Sequence, residues 1–356
     1  MTKTVSCVIV ALCVVLHGSR AVGQDVRPIR DSIGFCWDAD EMRRFVEFLA
    51  ARETSVPDTA RIVAAISVHD DYLYAGRVYF PLYRSLHARE AVIFGVTHGS
   101  VQKEMGPLAD VIILDEYDRW RGPFQPVEIS PLRNLIRSRI PSRYLMVSNR
   151  AHALEHSIEA LIPFLQYFNR DIKITPIMVT KMSWETMEDL AHHLTKIIAE
   201  YLASSNLVPG KDIVFLMSND ADHYGVDFNN APYGLDARAH RSATANDLRI
   251  IDAHINGVAT PDRIHDLALE IWPDSARPGP APVWCGRYPV TLGLLTVAGV
   301  VAQNHLGELQ GTLVRYSDTV TEKVLPMPNT SMGLTAVFSY RHWCGWFTER
   351  FTLSGR

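Results

Sequence analysis

Four short, nearly unbroken apolar runs punctuate the chain: residues 61–68 (RIVAAISV), 91–97 (AVIFGVT), 172–179 (IKITPIMV) and 213–218 (IVFLMS). Runs of this length, rich in β-branched residues, read as strands buried on both faces. Residues 111–114 and 144–147 carry weaker versions of the pattern. Residues 312–316 and 334–340 predict two late strands that an antiparallel pairing would suit. Apolar residues recur at helical spacing over 38–52, 78–87, 152–168, 184–203, 236–255 and 289–304, which predicts helices. Asp38 suits the N-cap of the first and Glu41 its opening turn. In the third, Ile158, Leu161, Ile162 and Leu165 form a core face. That leaves Glu155, His156 and Glu159 either solvated or turned into a pocket. The alternation of strands and helices predicts an α/β fold: a central, mainly parallel or mixed sheet with helices on both faces.

The N-terminal segment does not fit this pattern. Lys3 precedes an apolar run from Val5 to Leu16, and small Ala21 and Gly23 precede Gln24. The run is too short for the ~20 residues of a membrane-spanning helix. Residues 1–23 therefore predict a cleaved secretory leader, and residues 24–356 one domain of an exported protein, periplasmic or extracellular. Membrane contact is expected only through the leader, should it stay uncleaved. The Pro-rich stretch 273–282 reads as an ordered or semi-rigid loop inside that domain.

Composition narrows the function classes. With 47% apolar and 21% charged residues, the chain is neither a disordered polymer nor a multi-span membrane protein. The net charge is −4, and more negative once Lys3 and Arg20 leave with the leader. That excludes a basic nucleic-acid footprint, so no nucleic-acid partner is expected. Cys36, Cys285 and Cys344 would remain, too few for a disulfide framework, although an oxidising compartment permits one pair. Cys36 and Cys344, beside Trp37 and Trp343, read as core positions or as that pair.

The chemistry gathers where the strands end. Val68 is followed by His69, Asp70 and Asp71; Thr97 by His98; Ser218 by Asn219, Asp220, Ala221, Asp222 and His223. One histidine after a strand is ordinarily a hydrogen-bonded loop residue. Three strands releasing His or Asp at equivalent ends predict one pocket, because open α/β sheets bind ligands outside the carboxyl ends of their strands. Cys285 precedes a helix expected to open at Pro289 and adjoins Arg287, a setting that predicts a lowered thiol pKa. The plain alternative is a buried, inert cysteine.

Taken in order, these stations resemble the Memo family, also called the AmmeMemoRadiSam system protein B family. Its P-H-A-G-Y-x-Y-S-G segment corresponds to V-H-D-D-Y-L-Y-A-G at 68–76, and its G-P-S-H to G-V-T-H at 95–98. E-H-S-x-E-x-x-x-P-F-L is matched at 155–165, S-S-D-x-x-H-Y/W-G by S-N-D-A-D-H-Y-G at 218–225, and C-G-R-x-P at 285–289. The resemblance implies a fold similar to class III extradiol dioxygenases, whose non-haem Fe(II) is held by two His and a carboxylate. It further implies that a cysteine stands in the carboxylate's place. His69, His98 and Cys285 are then the metal ligands, with His223, Asp220 and His156 lining the pocket. Asp70 and Asp71 replace the family's Ala-Gly, and Asn219 its second Ser. Those carboxylates would either join the ligand set or mark a divergent branch.

The leading expectation is a metal-dependent redox enzyme acting on a small aromatic substrate with dioxygen. The metal is a divalent or redox ion, Fe(II) in first place and Cu or Zn as alternatives. His223 and Asp220 are the catalytic candidates, His223 as general acid-base with Asp220 or Asp222 orienting its ring. Asp70, Asp71, His156, Asp222 and Arg287 would support the ligands. The alternative is a non-catalytic protein that binds copper, iron or a peptide in the same cleft. A third reading makes Cys285 the nucleophile of a hydrolase with His223 as base and Asp220 as orienter, which leaves His69 and His98 without a role.

Overall fold

The computed structural model describes residues 25–57, 59–273 and 281–355. The expected leader and most of the Pro-rich stretch lie outside the described residues. In chain order the strands are β1 (Val26–Arg27), β2 (Ile62–Ser67), β3 (Glu90–Val96), β4 (Ile112–Leu114), β5 (Arg119–Trp120), β6 (Val127–Ile129), β7 (Leu145–Val147), β8 (Lys173–Val179), β9 (Ile213–Ser218), β10 (His223–Gly225), β11 (Gly257–Val258), β12 (Glu308–Asp318) and β13 (His342–Ser354). The helices are α1 (Ala39–Ala50), α2 (Tyr72–Tyr83), α3 (Gly99–Met105), α4 (Pro131–Arg139), α5 (Asn149–Leu154), α6 (Ile162–Phe168), α7 (Trp184–Ser205), α8 (Ala237–Ile250), α9 (Pro261–Ile271) and α10 (Arg287–Gln303).

The main sheet runs β1-β5-β6-β8-β3-β9-β2-β13-β12-β11. Its centre, β6-β8-β3-β9-β2, is parallel, and β13, β12 and β11 continue it antiparallel. The sheet is therefore mixed. The apolar runs supply its centre because strands covered on both faces need no polar positions. Successive side chains alternate across it: Ala91 and Ile93 pack with the core of α1, α2 and α6, Val92 and Phe94 with that of α7 and α10. Helices cover both faces, as expected. No helix among the described residues is long and apolar enough to cross a membrane.

Several boundaries differ from expectation. Helix α2 starts at Tyr72 rather than 78, because nearly all its residues are buried and a helix apolar all round gives no amphipathic signal. The helix expected over 152–168 is broken into α5 and α6. Between them the Glu155 carboxylate accepts the backbone N–H groups of His156 and Ser157, which a continuous helix would send to its own carbonyls. Helix α10 opens at Arg287, so Pro289 sits within the first turn, not at its head. Residues 334–340 form no strand; the last strand is β13. The Asp71 carboxylate takes the backbone N–H and hydroxyl of Thr335 there, supplanting a ladder. Helices α3, α4 and α9 were not expected. Helix α3 is short and buries only Val101, whereas α4 (Leu132, Ile136) and α9 (Ile264, Leu267, Ala268, Ile271) carry apolar stripes and the caps Ser130 and Thr260, so their signal was present in the sequence. Cys36 and Cys344 are buried free thiols, which settles them as core positions.

Candidate metal centre

Strands β3, β9 and β2 are consecutive and parallel, so the residues after them emerge side by side at one carboxyl edge. This brings His69, His98 and Asp220 together. Cys285 arrives on the loop before α10, which is anchored twice. Trp284 Nε1 donates to Asp247 Oδ1 at 2.7 Å, and Gly286 N to Asn219 Oδ1 at 2.9 Å. A Cβ on Gly286 would lie 2.3 Å from the Ser218 carbonyl oxygen; only glycine lets the loop approach β9 this closely. Cys285 Sγ then rests 3.4 Å from His69 Nε2 and accepts the Asp220 N–H at 3.1 Å. The ligand atoms of His69, His98 and Cys285 all lie within 4.8 Å of one another.

The hydrogen bonds fix which ring nitrogens carry protons. Ser218 Oγ donates to the Ser157 carbonyl (2.7 Å), so toward His69 Nδ1, 2.8 Å away, it accepts. His69 is therefore protonated at Nδ1 and presents the Nε2 lone pair toward Cys285. His98 Nδ1 lies 2.8 Å from Glu155 Oε1. The same carboxylate receives the N–H groups of His98, His156 and Ser157, so it is acceptor-only and His98 also offers Nε2. A carboxylate or hydroxyl behind each imidazole is the support that metal-binding histidines need.

The electrostatics agree. Burial, reinforced by His98 and His156, pushes His69 well below the ordinary histidine value, keeping it neutral. Burial also lowers His223 and His156 to about 4. Burial alone would raise Glu155, but His98 and the surrounding donors overcome it and hold this carboxylate well below its usual range. Cys285 reverses the expectation of a lowered pKa. Burial first, then the neighbouring Asp220, push the thiol well above its ordinary value, and Arg287 only partly offsets them. A bound cation would reverse this, since a coordinating thiol loses its proton outright.

The other expected residues are placed as follows. Asp220 Oδ1 accepts the His69 N–H at 3.0 Å and Oδ2 lies 3.4 Å from His69 Nε2; burial, then Asp70, raise its pKa well above the usual range. His223 is oriented by carbonyls, with Nδ1 3.1 Å from Ala221 O and 3.2 Å from Val283 O, rather than by Asp220 or Asp222. Asp222 instead accepts from Asn230 Nδ2 and Val283 N. His156 stacks on His98 with ring centroids 4.7 Å apart. Among the described residues three overlapping sets of ligand atoms occur: His69, His98, Cys285; His98, Glu155, His156; and Asp220, His223, Cys285. Asp70 and Asp71 belong to none. Asp70 accepts the Trp346 indole N–H at 2.9 Å, and Asp71 holds Thr335. Their carboxylates turn toward β13 and the segment before it.

Glu155 and Ser218 are the residues of the candidate site whose contacts with His98 and His69 the sequence hid. Glu155 stood in the E-H-S segment, but nothing in its spacing joined it to a histidine 57 positions earlier. Ser218 looked like the last residue of a strand and nothing more.

Comparison with known proteins bears on the same residues. Residues 35–323 match the family model described as Memo-like protein. A "MEMO1 family protein" of Aquifex aeolicus is 27% identical over 190 residues, 52% of this chain and 63% of that protein. One of Sulfurisphaera tokodaii is 31% identical over 163 residues, 44% of this chain and 51% of its own. One of Methanosarcina mazei is 26% identical over 286 residues, 79% of this chain and 85% of its own. The chain thus spans between half and two thirds of the first two relatives and most of the third.

Proposed function

The chain belongs to the Memo-like family, and from that premise we propose that it binds one transition-metal ion through His69, His98 and Cys285 and uses it in a redox reaction on a small aromatic substrate. The observation that carries this reading is the convergence of two imidazole lone pairs, each fixed by a hydrogen bond behind it, on one thiol sulfur. Two nitrogens and a sulfur fit Fe(II), Cu(I) or Zn(II); Fe(II) is the choice that suits oxygen chemistry. When bound, the ion supplies Lewis-acid and redox capacity and leaves positions open for ligands.

The protein's own groups do the rest. His223 keeps a proton at Nδ1 against two carbonyls, so Nε2 is free to take the proton of a phenolic hydroxyl. Phe228 meets the His223 ring edge-on at 5.0 Å and limits its rotation. Glu155 holds His98 in place while substrate enters. The second reading, a metal-holding protein without turnover, is favoured by the sulfur, since soft thiolate suits Cu(I).

Elemental analysis of protein purified without oxygen decides between them, together with oxygen uptake across a panel of catechols. About one ion per chain is expected, with affinity reduced at least about a hundredfold in His69→Ala and Cys285→Ser. Ion binding without oxygen uptake would leave the non-catalytic reading, and no ion in either form would end both. We also propose that the mature protein is exported; N-terminal sequencing that starts at Gln24 would support this, and a retained Met1 would oppose it.

A further inference from the structure

We propose that Asp247, a residue of α8 outside all three ligand sets, is a positioning residue of the cluster. Its carboxyl group latches the loop carrying Cys285 to the loop carrying Asp220 and His223, and so sets how closely the sulfur approaches His69. The purpose of the latch rests on the metal reading above; its geometry does not. Asp247 is fully buried, and three donors converge on it. Trp284 Nε1 donates to Oδ1 at 2.7 Å; the Tyr316 hydroxyl, at 2.8 Å, and the Asp222 backbone N–H, at 3.3 Å, donate to Oδ2. Trp284 immediately precedes Cys285, Asp222 stands between Asp220 and His223, and Tyr316 belongs to β12. One carboxyl group thus joins the two loops that meet at the sulfur and ties both to the sheet.

Gly345 on β13 provides the room. A Cβ there would lie 2.7 Å from the Tyr316 hydroxyl oxygen and 3.0 Å from Asp247 Oδ2. The Gly345 backbone also holds the Asp220 loop, donating to Asp222 O at 3.0 Å and accepting the Ala221 N–H at 2.8 Å. The loops bind each other as well: His223 N–H donates to Val283 O at 3.0 Å, and Val283 N–H to Asp222 Oδ1 at 2.8 Å. Asp247 adds what those backbone ties lack, a grip on the Trp284 ring, which packs on Phe347 at 5.1 Å. Ala221 and Trp284, one on each loop, belong to the apolar core. A carboxyl group buried beside them is costly unless its oxygens are satisfied. An apolar side chain would fill the same space without giving direction, whereas hydrogen bonds of fixed length hold the loops in one arrangement. Asparagine matches the shape but replaces one accepting oxygen by an NH2 group, so it can keep the Trp284 bond or the Asp222 bond, not both.

The test begins on chelator-treated, full-length protein. Alkylation by iodoacetamide, followed by peptide mass mapping, gives the rate at Cys285 alone. Asp247→Asn and Asp247→Leu are expected to raise that rate at least about fivefold, by releasing the thiol from its seat beside His69. Trp284→Phe, which deletes the donor at the other end of the same bond, should reproduce the rise and serves where an Asp247 variant fails to fold. Leu132→Ala is the control, a truncation on the buried face of α4, which packs on α7 and β8. It should lower Tm yet leave the Cys285 rate within about twofold of the parent. Cobalt(II) is then added: the thiolate-to-cobalt charge-transfer absorption per bound ion should fall by at least about half in Asp247→Asn, and zinc affinity by at least about tenfold. Alkylation rates equal to the parent's in the Asp247 variants overturn the proposal. So does a rise that Leu132→Ala matches, which would be general loosening, or a cobalt band unchanged in Asp247→Asn. A parent that binds no cobalt ends the metal reading alone, since the alkylation rates still decide whether Asp247 holds Cys285 in place.

Discussion

Glu155 organises one side of the candidate site. Its two oxygens receive His98 Nδ1, the His98 N–H, and the N–H groups of His156 and Ser157. It thereby chooses the His98 tautomer and shapes the chain break that admits His156. Replacement by glutamine keeps the size but loses the acceptor-only character. Glu155→Gln is expected to weaken metal binding by roughly 10–100-fold, read by competition with a chromogenic chelator. Unchanged affinity would mean that His98 needs no such support. At this scale the residues that cluster were legible, because His69, His98 and Cys285 stand at strand ends or beside a helix start. Their partners were not, since Ser218 and Glu155 acquire meaning only from residues 149 and 57 positions away. The expected reactive thiol was misread for a related reason: the cation beside Cys285 was visible in sequence, whereas the burial and the Asp220 carboxylate that outweigh it were not.

The long amphipathic helices α1 and α7 and the fully buried central strands were read well, the wholly buried helix α2 poorly, and the amphipathic α4 and α9 not at all. Helices α1 and α7 start with Asp38 and Ser183 accepting backbone N–H groups, and their apolar stripes marked their extent. Helix α2, buried almost all round, lost its first six residues to an apparent loop. The loop that feeds α10 shows how an element can govern chemistry through one missing atom. A methyl at Gly286 would also lie 2.5 Å from Asn219 Cβ, besides meeting the Ser218 carbonyl. Both contacts belong to the end of β9, which cannot retreat without disturbing the ladder that carries Asp220. Gly286→Ala is therefore expected to cost about 1–3 kcal/mol of stability and to move Cys285 away from His69. Thermal unfolding and metal titration measure the two effects separately; an alanine variant equal to the parent in both would show that the loop has slack.

Over the whole molecule, the sheet encloses acids far from any solvent. Glu349 on β13 is fully buried, both its carboxylate oxygens lack a hydrogen-bond partner, and burial raises its pKa from 4.5 to about 9. The folded chain then binds a proton that the unfolded chain releases. Its contribution to stability is fully present below about pH 4.5, falls as pH rises, and levels off above about 9, with a slope of up to about 1.4 kcal/mol per pH unit. Burial also lifts Asp71 to about 7, Asp222 to about 6 and Asp247 to about 8, and raises Asp220 and the buried thiols, so these groups share the slope and the part due to Glu349 is what its substitution removes between about pH 5 and 9. Glu349→Gln is expected to flatten urea-unfolding stability across that range and leave it little changed near pH 4. A parent profile flat from pH 5 to 9 would refute the assignment.

The sequence by itself determined the layer architecture, since fully apolar runs alternating with amphipathic stretches have few other ways to bury their surface. It also determined where chemistry could occur, because strand ends are where a parallel sheet exposes functional groups. Tertiary structure decided three further things: which strands are neighbours, which nitrogen of each imidazole is free, and which charges are already spoken for. These depend on distances between residues remote in the chain, and local pattern holds no record of such distances. Asp70 and Asp71 illustrate the division. Their position next to His69 suggested ligands, yet the fold turns both carboxylates to Trp346 and Thr335 and leaves the cluster to two imidazoles and a sulfur.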